Sequence, residues 1–135
     1  MKKTYRGSCH CGGVRFEVDA DLEAGTGRCN CSYCQKVRNW SISVKPDDFR
    51  LLCDEVETTS TYRFGSNSVD HRFCKTCGLH AYGSGDVPEM GGAFRSVAIA
   101  CIDDLSAEEL ATLPIRYFDG RDNNWWNEPR ITRYL

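Results

Sequence analysis

The chain has 135 residues, nine of them cysteine, with a net charge of -2 and a pI near 5.9. That size fits one domain, taken as 1–135 with its core over about 5–126. A mean hydropathy of -0.48, with no apolar run near about 18 residues, excludes a membrane-spanning helix. The missing basic excess argues against nucleic acid as a partner.

The N-terminal "MKKTYRGSCHCGG" lacks the apolar stretch of a signal peptide, so the expected location is the reducing cytoplasm. Next, "GVRFEV" alternates and predicts a strand with Val14, Phe16 and Val18 on one face. "WSISV" does the same through Trp40, Ile42 and Val44. "KPDDF" predicts a short helical turn, with Pro46 suited to its start and Asp47 and Asp48 to its first turn. "TYRF" (61–64) and "LHAY" (79–82) are short strand candidates. "SVAIACI" (96–102) is apolar on both faces, as a strand buried on both sides would be. "DDLSAEELATLP" is the clearest helix: Ser106 is its N-cap, Glu109 completes a capping box and Pro114 stops it. "RITRYL" closes the chain as a last strand or a tail. The expected class is mainly β with one or two short helices.

Seven cysteines fall in motifs: Cys9 and Cys11 in "CHCGG", Cys29, Cys31 and Cys34 in "CNCSYC", Cys74 and Cys77 in "FCKTCG". An odd count without an export signal argues against a disulfide framework. The tandem ferredoxin spacing is absent, which ranks iron–sulfur below zinc. A Cys-x-x-Cys turn lets two thiolates approach one ion at about 2.3 Å. Gly78 offers the positive φ that such a turn needs, and Gly12 and Gly13 allow a bend after Cys9-x-Cys11.

Seven divides as four plus three, in two ways. Either Cys9, Cys11, Cys74 and Cys77 share one ion and Cys29, Cys31 and Cys34 a second, or Cys34 joins Cys74 and Cys77 while the first four pair off. The first is preferred, because a Cys-x-Cys-x-x-Cys run can wrap one face of an ion and leave a coordination position for another ligand. A thiol arriving there would lose its proton and become nucleophilic. His10 reads as a bystander. His71 and His80 have three possible uses, as fourth ligand, general base or surface residue, and the last is expected. Cys53 and Cys101 read as packed thiols, with Cys101 on the Val97 and Ile99 face of its strand.

With these motifs in place, "GSCHCGGVRFEV", "RCNCSYCQK", "HRFCKTCG" and "FDGRDNNW" resemble the glutathione-dependent formaldehyde-activating enzyme family, which includes centromere protein V relatives. The resemblance implies an Mss4-like fold of coiled, mostly antiparallel sheets clamped by a structural zinc. It implies Cys9, Cys11, Cys74 and Cys77 as structural zinc ligands, and Cys29, Cys31 and Cys34 as ligands of a catalytic zinc; three thiolates should hold that second ion less firmly than four, so partial occupancy is expected there. The implied activity is that of a carbon–sulfur lyase that joins glutathione and formaldehyde into S-hydroxymethylglutathione, with a small thiol and an aldehyde as partners. Glutathione carries two carboxylates, so Arg28, Lys36, Arg38, Arg95 and Arg121 are candidate contacts. "NNWW" (123–126) offers an aromatic wall, although core packing is the commoner use of tryptophan. The competing readings are a zinc-stabilised binding module and a glutathione carrier without turnover.

Overall fold

The computed structural model describes all residues, 1–135. It is mainly β, with ten strands in two sheets and three short helices. In chain order these are β1 (Lys3–Ser8), β2 (Arg15–Ala20), β3 (Thr26–Cys29), α1 (Ser32–Val37), β4 (Trp40–Val44), β5 (Phe49–Leu51), α2 (Glu55–Thr58), β6 (Thr59–Tyr62), β7 (Val69–Cys74), β8 (His80–Val87), β9 (Gly92–Ala98), α3 (Ala107–Thr112) and β10 (Ile115–Phe118). The small sheet runs β1-β2-β5 and the large one β10-β3-β4-β9-β8-β7-β6. Every pairing is antiparallel except β10 on β3. No helix is long and apolar enough to cross a membrane.

The core lies between the sheets. From the small sheet come Phe16 and Val18, with Val14 just before β2, all fully buried. Ile42, Tyr82 and Val97 meet them from the large one. Phe49 bridges the layers, 5.4 Å from the Phe16 ring and 5.0 Å from that of Tyr82. The period-two pattern of "GVRFEV" is thus a burial pattern.

Several local expectations need adjusting. The 96–102 segment is not one strand: β9 ends at Ala98 and Ile99–Cys101 form a 3-10 turn. Cys101 is buried in that turn and not on a strand face. Strand β6 stops at Tyr62, short of Phe64. Of the two readings for "RITRYL", the structure has the tail and not the strand. The helices number three, and α1 went unpredicted because its six residues show no apolar period and its N-cap is a cysteine. The capping box at Ser106 and Glu109 is present, as is a 3-10 turn at Pro46–Asp48.

The topology puts every cysteine motif at a strand connection. "CHCGG" is the tip of the β1–β2 hairpin, "CKTCG" is the tip of β7–β8, and "CNCSYC" spans the end of β3 and the start of α1. The first two tips belong to different sheets, so a shared ion would join the layers.

Candidate metal centres and the adjoining cleft

The sulfurs of Cys9, Cys11, Cys74 and Cys77 all lie within 4.8 Å of one another. Cys11 Sγ is 3.6 Å from Cys9 Sγ and 3.5 Å from Cys74 Sγ. A zinc tetrahedron with bonds of about 2.3 Å has edges of about 3.8 Å, so the spacing fits. Gly12 and Gly78 take φ of 80° and 76° just past each half-site and fold the chain back. Main-chain N–H groups point at the sulfurs: Val14 donates to Cys9 Sγ, and Thr76 and Cys77 donate to Cys74 Sγ. The amides of Cys11 and Leu79 pull Cys77 down to about 6, and the amide of Cys77 lowers Cys74. Cys11 is pulled down by the Gly13 amide but pushed up more by the thiols of Cys74 and Cys9, to about 11. These thiols compete for charge, and a cation would relieve that competition.

The second group is Cys29, Cys31 and Cys34, again with all sulfurs within 4.8 Å, and no fourth histidine, cysteine or carboxylate joins it. Cys29 ends β3, Cys31 caps α1 and Cys34 sits in the first turn of α1. Cys31 N–H donates to Cys29 Sγ and Cys34 N–H to Cys31 Sγ, each at 3.3 Å. Asn39 Nδ2 reaches Cys34 Sγ at 3.8 Å. Cys31 is driven strongly toward the thiolate by the thiols of Cys29 and Cys34, with its cap amide helping. Cys29 is raised to about 11, chiefly by Cys31, and Cys34 is raised further by Cys29 and Cys31. Without a cation only one of the three ionises readily, so the donor set suits a thiophilic divalent ion.

A cleft of about 530 Å³ is lined in part by Arg28, Tyr33, Arg38, Trp40, Tyr62 and His80; it meets this group through the neighbouring residues Arg28 and Tyr33, and Cys101 rather than any of the three cysteines is in its wall. That volume is within the usual size of a small-molecule site. The Arg28 guanidinium stands 5.1 Å from the Trp40 ring centre, and Arg38 Nη1 donates to the Tyr134 carbonyl. Neither guanidinium has a carboxylate partner in the chain. Arg121 is tied to α1, its Nη2 donating to Gln35 Oε1 at 2.6 Å. Lys36 is exposed on α1. Arg95 lies on β9 opposite Val44 and Ser84 and is not among the residues that line the cleft.

His71 and His80 are not ordinary surface residues. Both are half-buried around Tyr33, their ring centres 4.1 and 5.6 Å from its own. Burial lowers both below the usual histidine value. His80 Nδ1 is 2.9 Å from the Arg72 carbonyl, which can only accept, so Nδ1 carries the proton and Nε2 the lone pair. Burial raises Tyr33 to about 12. His10 is exposed in its turn. Cys101 is raised to about 12 by burial, then by Cys9 and Asp103, so its charged neighbours lie on the four-cysteine side.

The residues that sequence reasoning missed are Asn30 and Asp119. Strand β10 pairs with β3 so that Phe118 lies opposite Cys29. Asp119, Gly120 and Arg121 therefore emerge beside the three-cysteine group. Asn30 Nδ2 donates to Asp119 Oδ1 at 2.9 Å, both residues being buried. The only sequence signal was "FDGRDNNW", which carries no such pairing on its face. Trp125 and Trp126 are exposed rather than core, Trp126 at 91%.

A family model described as glutathione-dependent formaldehyde-activating enzyme matches residues 4–117. A Halomonas elongata protein, provisionally named as such an enzyme, is 33% identical over 78 residues, covering 53% of this chain and 50% of the relative. The chain thus spans about half the length of that curated relative. The crystal structure of a Rhodobacter sphaeroides protein superposes with a TM-score of 0.68 at 27% identity, covering 82% of this chain and 99% of that one. With the match running through all three cysteine motifs, this chain belongs to the glutathione-dependent formaldehyde-activating enzyme family.

Proposed function

We propose that this protein is a zinc-dependent carbon–sulfur lyase-type enzyme that forms or cleaves a thiol–aldehyde adduct, such as S-hydroxymethylglutathione from glutathione and formaldehyde. One observation carries the reading: a donor group that ends at three thiols, whose chain neighbours Arg28 and Tyr33 line a cleft with two guanidiniums free of carboxylate partners. Cys9, Cys11, Cys74 and Cys77 would hold a structural zinc, and Cys29, Cys31 and Cys34 a second one. Such an ion, bound by three protein thiolates, would favour the thiolate form of a further sulfur and would polarise an oxygen near it.

The chain's own residues supply the rest. Arg28 and Arg38 bind the carboxylates of the thiol substrate, in the bidentate manner that guanidinium favours. Trp40 and Tyr62 wall the cleft and exclude water. Neutral His80 accepts a thiol proton at Nε2, because its Nδ1–H is committed to the Arg72 carbonyl. Tyr33 keeps its hydroxyl proton at neutral pH and can donate to the oxygen that gains charge as the C–S bond forms. Hemithioacetals also form unaided, so the gain comes from positioning.

The test is exchange NMR of labelled formaldehyde with glutathione, alongside zinc content per chain. An adduct exchange rate well above the buffer reaction, lost in Cys31→Ser while the fold survives, supports the reading. Exchange at the buffer rate, with glutathione still bound, would make the protein a carrier.

A further inference from the structure

We propose that the buried Asn30–Asp119 pair is a positioning device for the three-thiol group: it fixes Cys29 and straps residues 119–125 against it. The inference rests on the metal reading of that group. Asn30 stands between Cys29 and Cys31, and all three of its polar attachments run to residues 118–121. Its N–H donates to the Phe118 carbonyl at 3.2 Å, and its Nδ2 to Asp119 Oδ1 at 2.9 Å. Its Oδ1 accepts the Arg121 N–H at 2.9 Å.

The strap is built outward from that lock. Asn124 N–H donates to the Asp119 carbonyl and Asn123 N–H to that of Gly120, which closes a tight turn. The turn lays the Trp125 ring on Gly120, and Gly120 itself lies on Cys29: a Cβ there would meet Cys29 Sγ and the Trp125 ring, each at 2.7 Å. Arg121 then makes the second attachment at Gln35, one residue past Cys34. The three-thiol group is thus gripped on both sides by one segment.

A buried amide and carboxylate are a costly way to fill space, since an apolar pair needs no hydrogen-bond partners. What the polar pair adds is orientation. It holds the Cys29 main chain at one angle, and it holds Gly120 where only hydrogen fits against the sulfur. Groups behind metal ligands commonly act in this way.

The experiment uses the full chain loaded with cobalt(II), whose thiolate charge-transfer bands report each site. Wild type, Asn30→Ala, Asn30→Asp and the double variant Asn30→Asp/Asp119→Asn are challenged with a chelator. The expected result is release from the three-thiol site about tenfold faster in Asn30→Ala and Asn30→Asp, with the four-thiol site unchanged. Asn30→Asp sets two carboxylates against each other. The double variant reverses the polarity of the pair, keeps both side-chain hydrogen bonds and returns toward the wild-type rate. Unchanged release in Asn30→Ala, equal acceleration at both sites, or no rescue by the double variant would overturn the proposal. If wild type takes up one cobalt only, the metal reading of the three thiols fails. The pair is then judged by iodoacetamide labelling of Cys29 in the folded protein. Faster labelling in Asn30→Ala, reversed in the double variant, upholds the strap, and an unchanged rate refutes it.

Discussion

Gly120→Ala separates the geometry of the site from the stability of the fold. The new methyl carbon would lie 2.7 Å from Cys29 Sγ, whereas ordinary contact begins near 3.4 Å. Some 0.7 Å must therefore be found, the difference of those two distances. The Trp125 ring, about half exposed, can swing aside. The main chain at Phe118 and Asp119 cannot retreat, because the Asn30 N–H holds the Phe118 carbonyl and the Asn124 N–H holds that of Asp119. Cys29 Sγ is left to move. Overpacking of this kind costs roughly 1–3 kcal/mol, or about 3–10 °C of melting temperature for a domain of this size. A misplacement approaching 1 Å at a reacting centre costs up to about a hundredfold in rate. The expectation is a loss of about ten- to a hundredfold in adduct turnover with a modest fall in melting temperature. Calorimetry and exchange NMR measure the two. Gly85→Ala is the control: its methyl would run into the Phe94 ring, between β8 and β9, away from either cysteine group. It should cost comparable stability and spare turnover. Full activity in Gly120→Ala, or an equal loss of activity in Gly85→Ala, would refute the reasoning.

Cys31→Ser should lose one of two zinc equivalents and remain folded, whereas Cys9→Ser, at the junction of the two sheets, should lose cooperative unfolding; metal analysis and circular dichroism distinguish them. Ser106→Ala removes the acceptor for Glu109 N–H and should destabilise by about 1 kcal/mol without touching activity, a difference readable from urea midpoints. Burial lowers His71 and His80 in the folded state. The unfolded chain then binds more protons than the folded one as pH falls below about 6.5, so stability declines on acidification through that range, and phenylalanine at both positions should flatten the profile. Asp19 is held below the usual carboxylate range by Arg50 and Thr4. Its contribution is complete above about pH 4 and is lost as pH falls toward the folded value; in Arg50→Met, acid titration of stability should become shallower below pH 4.

Much of this protein was legible locally. The alternation of Val14, Phe16 and Val18, the Ser106–Glu109 capping box and the glycines behind two cysteine turns act over a few residues. A sequence reader sees such chemistry directly. The cysteine spacing likewise gave seven thiols in three motifs, but left two ways to group them. The three-dimensional structure brings Cys9 and Cys11 to Cys74 and Cys77 because two hairpin tips from different sheets meet.

Other features had no local signal. "SYCQKV" hides a helix because its cap is a cysteine and its face never repeats. Cys101 looked like a strand residue because apolar runs do not reveal where a strand ends. His71 and His80 read as surface residues until β7, β8 and α1 stacked them around Tyr33. Arg95 read as a site residue, yet on β9 it is not among the residues that line the cleft. The class of the fold and the set of available thiols can be read from the chain alone, since turns, caps and periodicity are properties of neighbouring residues. What surrounds them follows from long-range packing. Asn30 and Asp119 stand 89 positions apart, and the packing of β10 alongside β3 brings them together, an outcome of how two sheets bury their faces that no local pattern encodes.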